Sequence, residues 1–173
     1  MTLDDAVHLI SEASLTPLEN QHWLDLGCGS GLFTQALGSI LPKGSLVTGI
    51  DLTAQKLPLH LTNNNKLDFL QADFTKDTLP FHHVNGLLMA NALHYVKNKR
   101  ALLLRLQSHI KISGIFIIIE YDTWHANAWV PYPIPFAELK ELFLDIGYSQ
   151  VEKIGERNSV YNTTKIYACC ICI

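Results

Sequence analysis

Charge of one sign is what this chain most clearly lacks. Its 173 residues carry 13 Lys and Arg against 16 Asp and Glu, a formal net charge of -3. That excludes the basic footprint with which nucleic-acid binders neutralise phosphates. Lys97, Lys99 and Arg100 form the single basic cluster and read as a solvated helix start. Long apolar runs are also missing. The longest, Ile115 to Ile119, stops at Glu120, a buried-strand length far short of the roughly 20 residues a membrane helix needs. The opening Met1-Thr2-Leu3-Asp4-Asp5 has acids where an export signal has cations and an apolar block, so a cytoplasmic setting is expected. Cysteine is sparse: Cys28, Cys169, Cys170 and Cys172 lack the paired spacing of zinc sites and read as reduced thiols, with no metal expected. Repeats and low-complexity segments are absent.

What is present is an alternation of short apolar runs with amphipathic stretches, the pattern of an α/β chain with a parallel sheet. The length suits one domain, 1–173, with a helical arm over 1–20 and a core over 21–173. A short helix is predicted over Asp4 to Ala13, then a turn at Thr16-Pro17. Strands are predicted at His22–Leu26, Leu46–Asp51, Leu67–Gln71, Val84–Ala90 and Ile115–Tyr121. Helices are predicted from near Gly31 through Ile40 and over Lys97–Ile110, with Ser113-Gly114 turning the chain into the fifth strand. A helix over Thr53–Asn65 is expected to be short or broken, because Pro58 and Asn63-Asn64-Asn65 interrupt it. The crossover over 74–82 looks reduced. Pro135 suits a first helical turn, Phe136, Leu139, Leu142, Phe143 and Ile146 the buried face, and Gly147 the cap. Two strand-like runs, Tyr148–Ile154 and Tyr161–Ile171, are separated by too few residues for a parallel crossover, so they form an antiparallel hairpin.

The chemistry concentrates in Trp23-Leu24-Asp25-Leu26-Gly27-Cys28-Gly29-Ser30-Gly31. A strand running into alternating glycines and then a helix brings free backbone N–H groups close to a ligand. The G-x-G-x-x-G dinucleotide fingerprint fails, because Leu32 or Thr34 stands where its last glycine belongs. The acid–x–Gly–x–Gly–x–Gly form resembles motif I of the class I S-adenosylmethionine-dependent methyltransferases, in a minimal single-domain, small-molecule form. Val47-Thr48-Gly49-Ile50-Asp51 is similar to the family's second strand with its ribose-binding acid. Gln71-Ala72-Asp73-Phe74 resembles its adenine-binding turn, and Asn91-Ala92-Leu93-His94-Tyr95 its segment after strand four. Met89-Ala90-Asn91-Ala92-Leu93 departs from the Asn-Pro-Pro-Tyr type, which argues against DNA bases and amide nitrogens as acceptors.

The resemblance implies a Rossmann-like, doubly wound, mostly parallel seven-stranded sheet with an antiparallel C-terminal hairpin strand. It implies S-adenosylmethionine as cofactor, with Asp25, Gly27, Cys28, Gly29, Gly31, Asp51, Leu52, Asp73, Phe74 and Asn91 around it. A carboxylate at position 51 can accept from both ribose hydroxyls, and Phe74 or Leu52 can wall the adenine. The acceptor is expected to be a small molecule, near His94, Tyr95, Trp124, Trp129 and Tyr132, with the protein a monomer or homodimer. No catalytic residue is assigned. His94 is the one candidate base, but pocket wall is the favoured role. The alternatives are a non-catalytic S-adenosylmethionine-binding domain acting through a partner protein, and an NAD-dependent reductase.

Overall fold

The computed structural model describes residues 1–15, 20–58, 60–159 and 164–172. The turn expected at Thr16-Pro17 and the first residues of the run from Tyr161 lie outside them. Helix α1 (Leu3–Ile10) starts at a reciprocal cap: Asp5 N–H donates to Thr2 Oγ1, and Thr2 N–H to the Asp5 carboxylate. It ends three residues earlier than the sequence suggests. The strands are β1 (His22–Leu26), β2 (Leu46–Asp51), β3 (Lys66–Gln71), β4 (Val84–Ala90), β5 (Ile110–Tyr121), β6 (Gln150–Asn158) and β7 (Lys165–Cys172). They form one seven-stranded sheet in the order β3-β2-β1-β4-β5-β7-β6. The pairs from β3 through β5 are parallel, and β7 runs antiparallel to both β5 and β6. The doubly wound, Rossmann-like sheet with its C-terminal hairpin is therefore as expected.

Side chains alternate across the strands and feed two cores. On one face Leu24, Leu26, Leu87 and Phe116 pack under Leu102, Leu103 and Leu106 of α3 (Lys99–Leu106) and Leu139 and Phe143 of α4 (Phe136–Asp145). On the other face Trp23, Val47, Leu88 and Ile117 pack under α1 and α2 (Leu32–Ile40). Trp23 is fully buried and fills the space beside Gly86, where an added methyl would come within 2.3 Å of the indole. In β7, Cys169 points into the first core while Ala168 points into the second; Cys169, Cys170 and the loop residue Cys28 are all buried, and every cysteine is a free thiol.

Four features differ from the sequence reading. Among its described residues, the stretch predicted to hold a helix over Thr53–Asn65 contains a single tight turn at Thr62–Asn64, where Asn63 and Asn64 take left-handed φ of 60° and 58°. Leu57 lies against Gly31 and Gly49, and Leu61 against Gly38. Asn98 caps α3 by accepting from Ala101 N–H, so the helix starts two residues later than predicted. Ile110 does not close the helical face. It opens β5, pairing with Val84, and Ser113-Gly114 lies inside the strand at a bulge, where the register jumps from Val84↔Ile110 to Gly86↔Ile115. Finally, Pro135 is the cap residue before α4 rather than within its first turn, and Gly147 follows the helix at φ 101°.

Candidate active site

The carboxyl ends of the parallel strands gather the polar residues, as in other open α/β sheets. After β1 the chain turns through Gly27, Gly29 and Gly31 at φ of 77°, 50° and 83°. These left-handed values favour glycine. Gly27 and Gly31 are packed: a methyl on Gly27 would meet Ala92 Cβ at 2.8 Å, and one on Gly31 would meet Leu57 at 2.8 Å. Around Gly29 the space is open. The loop is anchored by Gly27 and Cys28 N–H groups donating to Ile50 carbonyl at 2.8 and 3.1 Å.

Asp51 closes the cradle from the end of β2. Its carboxylate accepts from Gly29 N–H at 2.9 Å, Thr53 N–H at 3.0 Å, Thr53 Oγ1 at 3.1 Å and Gln55 Nε2 at 3.2 Å. Partial burial alone would raise its pKa; the bonds from Thr53 and Gly29 outweigh that and hold it below the ordinary carboxylate value. Asp25, on β1, is enclosed. Burial pushes it up to about 7, with the nearby Asp51 charge adding to that and a hydrogen bond from Thr34 opposing it. Thr34 Oγ1 donates to Asp25 Oδ2 at 2.5 Å, while Oδ1 is buried with no partner. The Asn91 side-chain oxygen is likewise buried and unpartnered, on a residue held at φ 53° just beyond β4. Unpaired buried acceptors are uncommon and call for a donor. Two of them beside a glycine cradle and a strand-end carboxylate fit a ligand carrying an ammonium and vicinal hydroxyls, as S-adenosylmethionine does.

The other cofactor positions are less uniform. Cys28 is buried, its thiol pushed up to about 12 by burial and the adjacent Asp25 and Asp51, so it serves as an apolar neighbour of Gly49 rather than a nucleophile. Phe74 approaches Gly27 and Leu52 is exposed. Asp73 accepts from the Thr75 N–H and hydroxyl and pairs with Lys76 at 3.0 Å, which keeps its pKa low and commits much of its carboxylate to its own turn.

A cavity of about 650 Å³ opens beside this cradle, lined by Asn91, His94, Tyr95, Tyr121, Asn127, Trp129 and Val130. That is within the roughly 300–1,000 Å³ of small-molecule sites. A smaller cleft of about 230 Å³, which includes Phe33 and Arg157, shares Asn91 and Tyr121 with it. Of the five acceptor-site residues the sequence suggests, His94, Tyr95 and Trp129 line the larger cavity. Trp124 does not, and is 67% exposed. Tyr132 acts through its backbone, its N–H donating to His94 carbonyl at 3.0 Å and its carbonyl accepting from Lys99 Nζ at 2.7 Å. Tyr121, Asn127 and Val130 were not singled out by sequence. The first ends a strand and the others sit in an irregular loop, where no periodicity marks an inward side.

The largest omission is Glu120. It is the penultimate residue of β5, next to the Ala90↔Ile119 pair, which brings it under the turn that carries His94. One oxygen accepts from His94 N–H at 3.0 Å and the other lies 2.6 Å from His94 Nδ1. Their side chains are 3% and 1% exposed.

Comparison with known proteins identifies the family and the fold. The profile of the family described as "Methyltransferase domain" matches residues 24–118, from β1 through most of β5. An uncharacterized methyltransferase of Mycobacterium tuberculosis is 29% identical over 126 residues, covering 68% of this chain and 62% of that protein. An O-methyltransferase of Pyrenophora dematioidea is 26% identical over 164 residues, covering 84% of this chain and 61% of that one. The chain thus spans about three fifths of the length of these relatives. Among solved structures, an S-adenosylmethionine-dependent methyltransferase from Aquifex aeolicus superposes with a TM-score of 0.69 at 18% identity, covering 98% of this chain and 90% of that one. A 1,6-didemethyltoxoflavin-N1-methyltransferase from Burkholderia thailandensis, solved with bound 1,6-didemethyltoxoflavin and S-adenosylhomocysteine, gives 0.68 at 16% identity, covering 98% of this chain and 76% of that one. These likenesses share the fold. With more than half of its length matched by the profile, the chain belongs to the methyltransferase-domain family.

Proposed function

We propose that this member of the methyltransferase-domain family binds S-adenosylmethionine over the ends of β1 and β2 and methylates a small molecule in the adjoining cavity. The observation that carries the reading is the open position at Gly29, framed by the Asp51 carboxylate and the unpaired Asp25 and Asn91 oxygens. In this reading Asp51 receives the ribose hydroxyls, and Asp25 and Asn91 receive the ammonium. The backbone of Gly27, Cys28, Gly29 and Gly31 forms the floor. Phe74 and Leu52 flank the adenine, and Asp73 meets its amino group with what capacity its own turn leaves. When bound, the cofactor supplies an electrophilic methyl group on a sulfonium. The chain's part is to hold an acceptor atom about 3 Å from that methyl, to align it and to exclude water. His94, Tyr95, Tyr121 and Trp129 are placed to do so. Tyr132 supports the site by holding His94, and Trp124 lies at its outer edge.

The test is a thermal melt with S-adenosylmethionine, S-adenosylhomocysteine or NAD. A ligand that binds only the native state raises the melting temperature by mass action. Both adenosyl compounds should do so and NAD should not. Stabilisation by NAD alone would sink the proposal.

A further inference from the structure

We propose that His94 is the base that takes the acceptor's proton, that Glu120 is its positioning partner, and that the acceptor is a hydroxylated aromatic compound. This rests on the methyl-transfer reading above.

The geometry starts from Glu120. Its two oxygens serve one residue, the first fixing the His94 backbone and the second its ring. An ionised carboxylate only accepts, so it holds the proton on Nδ1 and leaves the lone pair on Nε2. Among the described residues neither side chain has a second ion pair, and Nε2 has no protein hydrogen-bond partner. His94 lines the cavity, and with Nδ1 occupied, Nε2 is the nitrogen free for a ligand. Arg157 lines the smaller cleft that shares Asn91 and Tyr121 with the cavity, and is paired with Asp5. Tyr95 and Tyr121 contact the ring at centroid distances of 4.4 and 6.1 Å. Lys99 of α3 feels the Glu120 charge but spends its ammonium on the Val96 and Tyr132 carbonyls.

The other cavity walls choose the acceptor. Tyr95, Tyr121 and Trp129 supply rings, Val130 an apolar patch, and Asn91 and Asn127 amides; among the described residues no Lys, Arg, Asp or Glu lines the space. A charged acceptor would be desolvated there without a partner, whereas a planar aromatic finds faces to stack on. Trp129, 80% exposed, is poised at the rim. The placed base then selects the atom. A neutral amine attacks before it loses its proton, and a thiol ionises with little help. A phenolic or enolic hydroxyl is the group whose proton must leave as the oxygen attacks. In that step the O–H bond breaks and an N–H bond forms at Nε2. The oxygen uses the freed electron pair to bond the methyl carbon as the methyl–sulfur bond breaks, that bond's pair passing to sulfur to leave a neutral thioether, and the imidazolium is balanced by Glu120.

The experiment uses 4-nitrophenol, whose phenolate absorbs at longer wavelength than the phenol, titrated into the full chain saturated with S-adenosylhomocysteine. Bound probe should show a phenolate-to-phenol ratio about tenfold above that in buffer at the same pH, equivalent to about one pK unit. His94→Gln should still bind the probe but lose the excess phenolate. Glu120→Gln should lose most of it. Nitrogen NMR of histidine-labelled wild type, which needs no variant to fold, should show Nδ1 protonated and Nε2 bare. No probe binding, bound probe with the buffer ratio, an unchanged ratio in His94→Gln, or the opposite tautomer would each overturn the inference. Failure of S-adenosylhomocysteine itself to raise the melting temperature would instead overturn the underlying methyl-transfer reading, so the two failures are distinguishable.

Discussion

Two strand-end carboxylates, Asp51 and Glu120, occupy matching places in opposite halves of the sheet and live in different worlds. Asp51 ends β2, in the half where the β2–β3 and β3–β4 crossovers hold no α-helix among the described residues and β3 is largely exposed. It is partly open to water and shared among a glycine, a threonine and a glutamine. Glu120 lies in the half roofed by α3 and α4, nearly inaccessible, with both oxygens on one histidine. Spreading a charge over several local donors makes it robust to the loss of any one. Confining it to one buried partner makes the pair depend on each other. The open half is therefore built for a ligand that comes and goes, and the roofed half for a group that must not move.

That contrast breaks first, and most visibly, at Glu120. Glu120→Leu leaves the His94 N–H and Nδ1 buried without partners, and should cost about 3 kcal/mol or more in urea unfolding. Asp51→Ala should cost under about 1 kcal/mol, since its donors can turn to water. Equal losses would erase the distinction.

Asp25 sharpens the comparison because it borders Asp51 yet is enclosed. Its folded-state pKa, up to about 7, lies above its unfolded value. The unfolded chain therefore releases this proton first, and stability falls as pH rises from about 4 to about 7. Asp5, Asp51, Asp73 and Glu156 are shifted down, so the informative quantity is the difference from Asp25→Asn. In the ligand-free protein the variant's advantage should grow across that window. A pH-independent difference would show that Asp25 ionises normally.

Within the glycine loop, Gly27→Ala meets both left-handed φ and Ala92, and should destabilise by about 2 kcal/mol. Gly29→Ala meets only the φ strain, about 1 kcal/mol, but fills the open position, so its larger effect should be on S-adenosylhomocysteine affinity. Ligand affinity separates the two half-buried acids. Asp51→Ala should weaken S-adenosylhomocysteine binding by about 1.5–3 kcal/mol in calorimetry, the value of hydrogen bonds to a charged acceptor. Asp73→Asn should change it by less than about 1 kcal/mol, because its local turn and ion pair already claim the carboxylate. An Asp73 effect as large as that of Asp51 would mean the adenine contact dominates.

The two halves were also unequally legible in the sequence. β1, β2 and β4 end where the sequence reading places them, since each apolar run stops at a glycine, an acid or an asparagine. The glycine spacing and Asp51 are local signals, visible within a few residues. The His94–Glu120 pair is not, because its members are separated by 26 positions and brought together only by the register of β4 against β5. Each alone reads as an ordinary residue at the end of an element. The start of β5 escaped for a related reason: Ile110 has the spacing of a helical face, and only pairing with Val84 makes it strand.

The buried thiols give the molecule a pair of internal clocks. Cys28 sits in the loop of the open half, and Cys169 and Cys170 lie in β7 of the roofed half. All three have pKa values raised by burial, so a thiol reagent reaches them only when the local structure opens. Labelling followed residue by residue would time the breathing of each half separately in the intact protein. Ligand binding at the loop should slow the Cys28 clock while leaving Cys169 to run at its own pace.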